Sequence, residues 1–220
     1  MSDIIFHSLT ESSYLWTAMH VADEKGVSFE LRTIELNSPE HLKLHPFGKM
    51  PILQHGDRVV YESIAIAHYI DRSFSGPALQ PDDPYGQAQV LRWLSIVNSY
   101  VFPTMNRIMK ERLVKAPWGF EVDEAFIAAA LPSVAVQMRL IEEATSAHKF
   151  LIGDSVTLAD SFLLPLLVFF TLAPEGKAFL AKAPSARAWL DRMTARPSFQ
   201  RSPMRKSSLF EITTTPRPPG

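Results

Sequence analysis

Residues 45–53 read HPFGKMPIL, and the pair Glu62-Ser63 follows nine residues after this stretch. The apolar end of the stretch, residues 51–54, and a further apolar run at residues 58–61 flank a turn-rich spacer at residues 55–57. A spacer of this length between two apolar runs is typical of a β-hairpin. The two runs are therefore predicted to pair as antiparallel strands, with Ser63 opening a helix directly behind them.

The chain before this stretch has the pattern of a strand, a helix and a second strand. Residues 4–6 form a short apolar strand candidate, and a helix is predicted from about Tyr14 to Lys25, where Gly26 is a suitable left-handed cap residue. Residues 28–34 alternate between apolar and polar side chains, which is the periodicity of a strand. With the short helix and the hairpin that follow, the order β-α-β-α-β-β-α is that of a thioredoxin-like module.

The second half of the sequence has helical periodicity instead. Two apolar stripes recur at helical spacing, and their members are Val90, Leu94, Val97, Val101 and Met105 in one and Ile127, Leu131, Val134, Met138 and Ile141 in the other. Pro103 and Pro132 lie inside these stripes and are predicted to kink or interrupt the helices. Thr157 and Asp160 have the spacing of a capping box at the start of a further helix. The predicted fold class is an α/β thioredoxin-like N-terminal domain plus an all-α helical C-terminal domain.

Glycine and proline mark the boundary between the two patterns. Residues 76–84 are rich in both and are predicted to form an interdomain linker. The thioredoxin-like domain then covers residues 1–75, and the helical domain covers residues 85–210. Residues 211–220 offer little that can pack and are predicted to be a flexible tail.

Composition and charge exclude several classes of protein. Hydrophobic residues make up 46% of the chain and charged residues 20%, as in globular domains. The formal net charge is -1 and the basic residues are dispersed, so neither nucleic acid nor a membrane is an expected partner. The chain has no cysteine, which excludes a disulfide framework, a thiolate zinc site and a cysteine nucleophile. The first residues lack the pattern of a secretory signal, so a cytoplasmic location is expected.

The histidines show no spacing typical of a metal site. His41 and His45 stand four residues apart, but two ligands without a third do not hold a metal ion. We expect surface or capping roles for the histidines, and no metal is predicted.

Residues 45–53, together with Glu62-Ser63, resemble the cytosolic glutathione transferase family. That family has the pattern Asn-Pro-x-Gly-x-Val-Pro-x-Leu, followed by Glu-Ser or Asp-Ser; His45 replaces its asparagine here and Met50 its valine. Residues 153–160 resemble the family's C-terminal folding motif, and residues 196–199 resemble its common ending. The resemblance covers about residues 4 to 205 and implies the two-domain glutathione transferase fold.

The resemblance also implies a glutathione site. A cis Met50–Pro51 bond would let the backbone of Met50 pair with the cysteinyl backbone of the tripeptide, like an added strand. Lys49 would pair with the glycine carboxylate, Glu62 would accept from the α-amino group, and Ser63 would receive the γ-glutamyl carboxylate. The alternative is that Glu62 and Ser63 form an ordinary helix cap and that Lys49 is a solvated charge.

The position of Ser12 and Ser13 resembles that of the serine that activates the glutathione thiol in the theta, phi and zeta classes. The local sequence is closest to the zeta class, although Tyr14 replaces the expected cysteine. A tyrosine at the end of the first strand, as in the alpha, mu and pi classes, is absent because Phe6-His7 stands there. Ser12 is the first candidate for donating a hydrogen bond to the thiolate and Ser13 the second; the alternative is that both only cap the helix.

The predicted function is attack of the glutathione thiolate on a hydrophobic electrophile, with glutathione as co-substrate. Leu9, Met105 and Met109 are candidates for the electrophile pocket, although methionines in a helical bundle more often belong to the core. Peroxide reduction or ether cleavage at the same site, and a non-catalytic ligand-binding protein of this fold, are the alternatives. The resemblance further implies a homodimer.

Overall fold

The computed structural model describes residues 3–201, which divide into two compact units. The first unit extends to Gln80 and includes residues 196–201, and the second covers residues 81–195. Residues 196–201 thus group with the first unit, although the sequence pattern places them in the helical domain. The predicted tail, residues 211–220, lies outside the described residues.

The first unit has the predicted order of strands and helices. Its elements are β1 (Ile4–His7), α1 (Ser13–Lys25), β2 (Phe29–Arg32), α2 (Pro39–Leu44), β3 (Ile52–His55), β4 (Arg58–Tyr61) and α3 (Ser63–Ser73). The four strands form one sheet in the order β2-β1-β3-β4. β1 is parallel to β2 and antiparallel to β3, and β3 and β4 form the predicted antiparallel hairpin. The thioredoxin-like fold is therefore confirmed.

Local signals and packing together fix the first unit. α1 ends where Gly26 takes the left-handed conformation, with φ 71°. α1 packs against α3, and the core includes Phe6, Leu15 and Ile66, each 0% exposed. Each such side chain contributes roughly 1.5–3 kcal/mol through burial.

A buried ion pair holds the start of the interdomain segment to the first unit. The Lys25 ammonium lies 3.3 Å from the Asp71 carboxylate, and the two side chains are 3% and 2% exposed. Lys25 also donates to the carbonyl of Pro77, while Asp71 accepts from the N–H of Leu79. Buried charges are tolerated when they are paired and hydrogen-bonded in this way. Residues 76–80 of the predicted linker are therefore anchored to the first unit.

The second unit is helical throughout. Its elements are α4 (Pro84–Ile96), α5 (Phe102–Met109), α6 (Glu124–Ala147), α7 (Leu158–Phe170), α8 (Pro174–Leu180) and α9 (Pro184–Thr194), with π-helical segments at Val97–Val101 and Lys110–Lys115 and a 3₁₀ turn at Ala116–Trp118. Pro103 lies in the first turn of α5, directly after a π-helical segment, so the chain changes helix type there as a proline favours. α6 runs through Pro132 without a break, so of the predicted kink or interruption the interruption is wrong, and the kink stays a prediction.

α6 is long and apolar enough, by length and composition alone, to cross a membrane. α7 and α8 reach that length only as a pair bent by 119°. Ile127, Val134 and Ile141 of α6 are buried in the second unit, which is typical of a core helix. Only 33% of its most apolar stretch is buried, so α6 also presents an exposed apolar face.

A final short helix, α10 (Pro197–Arg201), returns to the first unit and packs against α1. The Arg196 guanidinium, just before α10, donates to both carboxylate oxygens of Glu24 at 2.6 and 2.7 Å. The Glu24 side chain is only 5% exposed, so this bidentate pair is far less screened than a surface salt bridge. The contact explains why residues 196–201 belong to the first unit.

The predicted capping box at Thr157 and Asp160 is present. The Asp160 carboxylate is 0% exposed and accepts from the Leu151 N–H, from the N–H and hydroxyl of Thr157, and from the Trp189 indole N–H, at 2.8–3.0 Å. One side chain therefore joins the loop before α7, the start of α7 and the middle of α9.

The substitution Asp160→Ala should strongly destabilise the protein. It leaves several buried donors without an acceptor, and we expect the free energy of unfolding to fall by about 3 kcal/mol or more. Urea denaturation followed by circular dichroism measures this fall. The control is Asp191→Ala, which removes a carboxylate that is 66% exposed on α9 and should change stability by less than about 0.5 kcal/mol. Equal effects of the two substitutions would contradict this role of Asp160.

Candidate active site

Three segments that are far apart in the sequence meet at one end of the sheet. In the strand register, His7 of β1 faces Ile52 of β3, and Ile52 faces Tyr61 of β4. The next residues beyond this row are the loop that leads to α1, the residue Pro51 and the residue Glu62. The predicted sulfur activator and the predicted tripeptide ligands therefore lie at the same end of the sheet.

Ser12 is the N-cap residue of α1. Its hydroxyl oxygen accepts from the N–H of Leu15 at 3.3 Å, and the side chain is half-buried. Capping, the alternative role considered for this serine, is thus observed. It uses only a lone pair of the oxygen, so the hydroxyl hydrogen can still be donated to a ligand. The positive end of the α1 dipole lies at the same place and favours an anion there.

Ser13 is the first residue of α1 and is half-buried. Its carbonyl accepts from the Thr17 hydroxyl, but its own hydroxyl has no hydrogen-bond partner within residues 3–201. Both serines therefore offer a hydroxyl at the start of α1.

The loop before α1 contacts the segment before β3 directly. The N–H of Leu9 lies 3.4 Å from the thioether sulfur of Met50. The Met50–Pro51 bond is cis, as the resemblance implies. Within the described part of the chain, the N–H and C=O of Met50 have no hydrogen-bond partner. An unpaired backbone edge of this kind can pair with an extended peptide.

Glu62 takes a backbone conformation that is unusual for its type. Its φ is 71°, a region that residues other than glycine seldom occupy and that occurs often at functional sites. The carboxylate is 66% exposed and does not cap α3, although Glu62 is the N-cap residue. Ser63, the first residue of α3, is half-buried. The ordinary helix-cap interpretation therefore fails for the side chain of Glu62.

The charge of Glu62 affects the pKa of Tyr14. Burial, and then the charge of Glu62, raise the pKa of Tyr14 to about 12. The phenol is thus neutral at physiological pH. The effect of the Glu62 charge on Tyr14 agrees with the packing of α1 against α3.

Two histidines of this region are buried, which corrects the expectation of surface roles, although His45 is also the C-cap residue of α2. His41 is 0% and His45 is 1% exposed. The Nε2 of His41 lies 2.9 Å from the carbonyl oxygen of Lys49, whose ammonium is exposed. His45 lies 3.8 Å from the Glu62 carboxylate, and burial lowers the pKa of His45, so at neutral pH this contact is not a charged pair. Sequence reasoning recorded their i, i+4 spacing but had no signal for their burial.

The candidates for the electrophile pocket belong to different units. Leu9 is half-buried in the first unit, whereas Met105 and Met109 are 0% and 7% exposed in the second. This is the burial of ordinary core methionines, and the pocket role stays a prediction. Within residues 3–201, no group of three or more His, Cys, Asp or Glu side chains is arranged to hold a metal ion.

Two family models match the chain. Residues 2–72 match the N-terminal domain of glutathione S-transferases, and residues 93–197 match the C-terminal domain. Glutathione S-transferase F10 of Arabidopsis thaliana is 32% identical over 80% of this chain and 86% of that relative.

Solved structures agree with this likeness. The apo structure of a glutathione S-transferase III is 27% identical, with a TM-score of 0.83 over 99% of this chain and 100% of that chain. A theta-class glutathione S-transferase from the citrus canker pathogen Xanthomonas axonopodis pv. citri, solved with glutathione bound, is also 27% identical, with a TM-score of 0.77 over 91% of this chain and 97% of that chain. The chain therefore belongs to the glutathione S-transferase family of enzymes.

Proposed function

We propose that this glutathione transferase activates the glutathione thiol with the Ser12 hydroxyl for attack on a hydrophobic electrophile. The observation that carries the proposal is that three groups lie at one end of the sheet. They are a serine at a helix start, the unpaired backbone N–H and C=O of Met50, and the exposed carboxylate of Glu62. A sulfur activator is of no use to a protein that only binds ligands, so this arrangement favours an enzyme over a ligand carrier.

The chemistry requires an anionic sulfur. A free thiol of the cysteine type has a pKa of about 8.5, so only a small part is thiolate at neutral pH. A hydroxyl that donates to the sulfur, next to the positive end of α1, stabilises the anion and lowers that pKa. The thiol proton leaves to solvent, the sulfur electron pair forms the new bond to the electrophile, and the displaced group departs with its bonding electrons.

The tripeptide is proposed to lie along the backbone of Met50. Its γ-glutamyl end would reach the Glu62 carboxylate and the free N–H groups at the start of α3, and its glycine carboxylate would reach Lys49. Pro51, which follows Met50, has no N–H of its own that could pair with the tripeptide or the sheet. Positioning of the sulfur and stabilisation of its charge are the two contributions to the rate.

We also propose a homodimer, formed through the exposed apolar face of α6. Val136 on this face is 57% exposed, and α4 adds Leu91 at 54%. In the other copy, the first unit offers such a face an exposed apolar side chain in Phe47, which is 73% exposed and lies within residues 45–53. Faces of this kind are seldom left uncovered in soluble proteins.

Removing the Ser12 hydroxyl should slow conjugation and leave binding intact. A hydrogen bond to a charged group contributes about 1.5–3 kcal/mol, so Ser12→Ala should lower turnover at neutral pH by roughly ten- to a hundredfold. Activity should partly return at higher pH, where the thiolate forms unaided. Turnover of chlorodinitrobenzene across pH measures this, with cumene hydroperoxide as the second acceptor to separate conjugation from peroxide reduction.

Ser13→Ala and the double variant complete this experiment, because either serine can donate. Calorimetric titration with glutathione checks that binding survives in each variant. A double variant that turns over as fast as wild type at every pH would refute the serine mechanism.

Replacing Glu62 by Gln should weaken glutathione binding. The change keeps the side-chain shape but removes the charge that is proposed to accept from the α-amino group, so the dissociation constant should rise by roughly ten- to a hundredfold. Asp57→Asn is the matched control, because Asp57 is exposed at the opposite end of the same hairpin. Equal affinities of the two variants would place the γ-glutamyl group elsewhere.

The proposed dimer is tested by light scattering. Wild type should have the mass of two chains at micromolar concentration, and Val136→Arg should shift the mass towards one chain by placing a charge in the apolar contact. Ser146→Arg, at an exposed position near the end of the same helix, is the control. A wild-type mass of one chain would contradict the dimer.

A further inference from the structure

His41 of α2 uses both ring nitrogens, and it is fully buried. Its Nδ1 lies 3.0 Å from the backbone N of Asn37, and its Nε2 lies 2.9 Å from the carbonyl oxygen of Lys49. The side chain is 0% exposed. It therefore bridges two backbone groups that lie on either side of α2.

The two partners determine where the ring proton is. A backbone N–H can only donate and a carbonyl can only accept, so Nδ1 is the acceptor and Nε2 carries the hydrogen. Only the neutral imidazole with its hydrogen on Nε2 satisfies both. A hydrocarbon ring of similar size would leave a buried N–H and a buried C=O unpaired.

The segment that His41 closes is tightly folded. Asn37 and Gly48 both have positive φ, 63° and 58°. A side chain on Gly48 would clash with the Oδ1 of Asn37, so the two ends of the segment lie close together. The Ser38 hydroxyl accepts from the N–H of His41, and the N–H of His45 donates to the carbonyl of His41. The His41 ring thus lies at the centre of a closed loop that ends immediately before Met50.

The carbonyl of Lys49 belongs to the same peptide unit as the N–H of Met50. A trans peptide is planar, and its C=O and N–H point in opposite directions. The only cis bond among the described residues is the next one, Met50–Pro51. By holding the Lys49 oxygen, His41 therefore turns the Met50 N–H away from α2, where it has no partner within residues 3–201.

We propose that His41 is a positioning residue that aims the Met50 N–H at the cysteinyl backbone of glutathione. The inference rests on the function proposed above and deepens it. His41 does not touch the ligand; it acts by holding the peptide unit between Lys49 and Met50. Its contribution is to binding of the tripeptide and not to activation of the sulfur.

The test compares His41→Phe with His41→Gln, and His148→Gln is the control, because His148 is exposed at the end of α6 in the second unit. We expect His41→Phe to raise both the calorimetric dissociation constant and the KM for glutathione about tenfold, with kcat at saturation within about twofold of wild type. His41→Gln can still donate to Lys49 and should recover part of the affinity. His148→Gln should match wild type.

The hydrogen-exchange rate of the Met50 N–H distinguishes a positioning role of His41 from a purely structural one. In wild type, glutathione should slow exchange of the Met50 N–H, and in a folded His41→Phe protein this protection should be lost. If His41→Phe does not fold, the same measurement is made on His41→Gln, where we expect partial protection.

The possible failures are distinguishable. Wild type that does not bind glutathione would overturn the proposed function itself. Wild type that binds glutathione without protecting Met50, or a folded His41→Phe protein with unchanged affinity and KM, would overturn only the role of His41. A loss of active protein with unchanged KM would also overturn it, because that result is expected of a residue that only supports the fold.

Discussion

The antiparallel pairing of β1 with β3 is the interaction on which the candidate site depends. Its register sets His7 opposite Ile52, and the hairpin sets Ile52 opposite Tyr61. A slip of one residue would turn the buried side chains of β1 outwards, so the buried Ile4 and Phe6 hold the register. The loop to Ser12, the Met50 backbone and the Glu62 carboxylate are neighbours because these strands cannot pair otherwise.

The groups at this sheet edge combine structural and chemical roles. The Ser12 oxygen caps α1 while its hydrogen stays available, and the cap itself holds the hydroxyl at the positive end of the helix. Glu62 keeps a costly positive φ and leaves its carboxylate uncapped and exposed. The N–H and C=O of Met50 form no hydrogen bond within residues 3–201. Such departures from local preference are expected where a site is built for a ligand.

Local patterns predicted most of the elements, and long-range contacts explain what they missed. The Gly26 stop, the hairpin and the Thr157–Asp160 capping box depend on residues close in sequence, and all three are present. The buried His41 has partners on both sides of α2, and Arg196 finds Glu24 across most of the chain, so periodicity could not reveal either contact. The residues of the site could be predicted only from the family resemblance. The strand register that brings them together depends on three separate segments, and no single segment reveals it.

The most direct test of the central claim is the pKa of the glutathione thiol when bound to the wild-type protein, followed by the ultraviolet absorbance of the thiolate across pH. Hydrogen bonding to a hydroxyl at a helix start should lower this pKa clearly below that of the free thiol, about 8.5. We expect a bound value at least one unit lower. A bound thiol that titrates like free glutathione would contradict activation of the sulfur by this site.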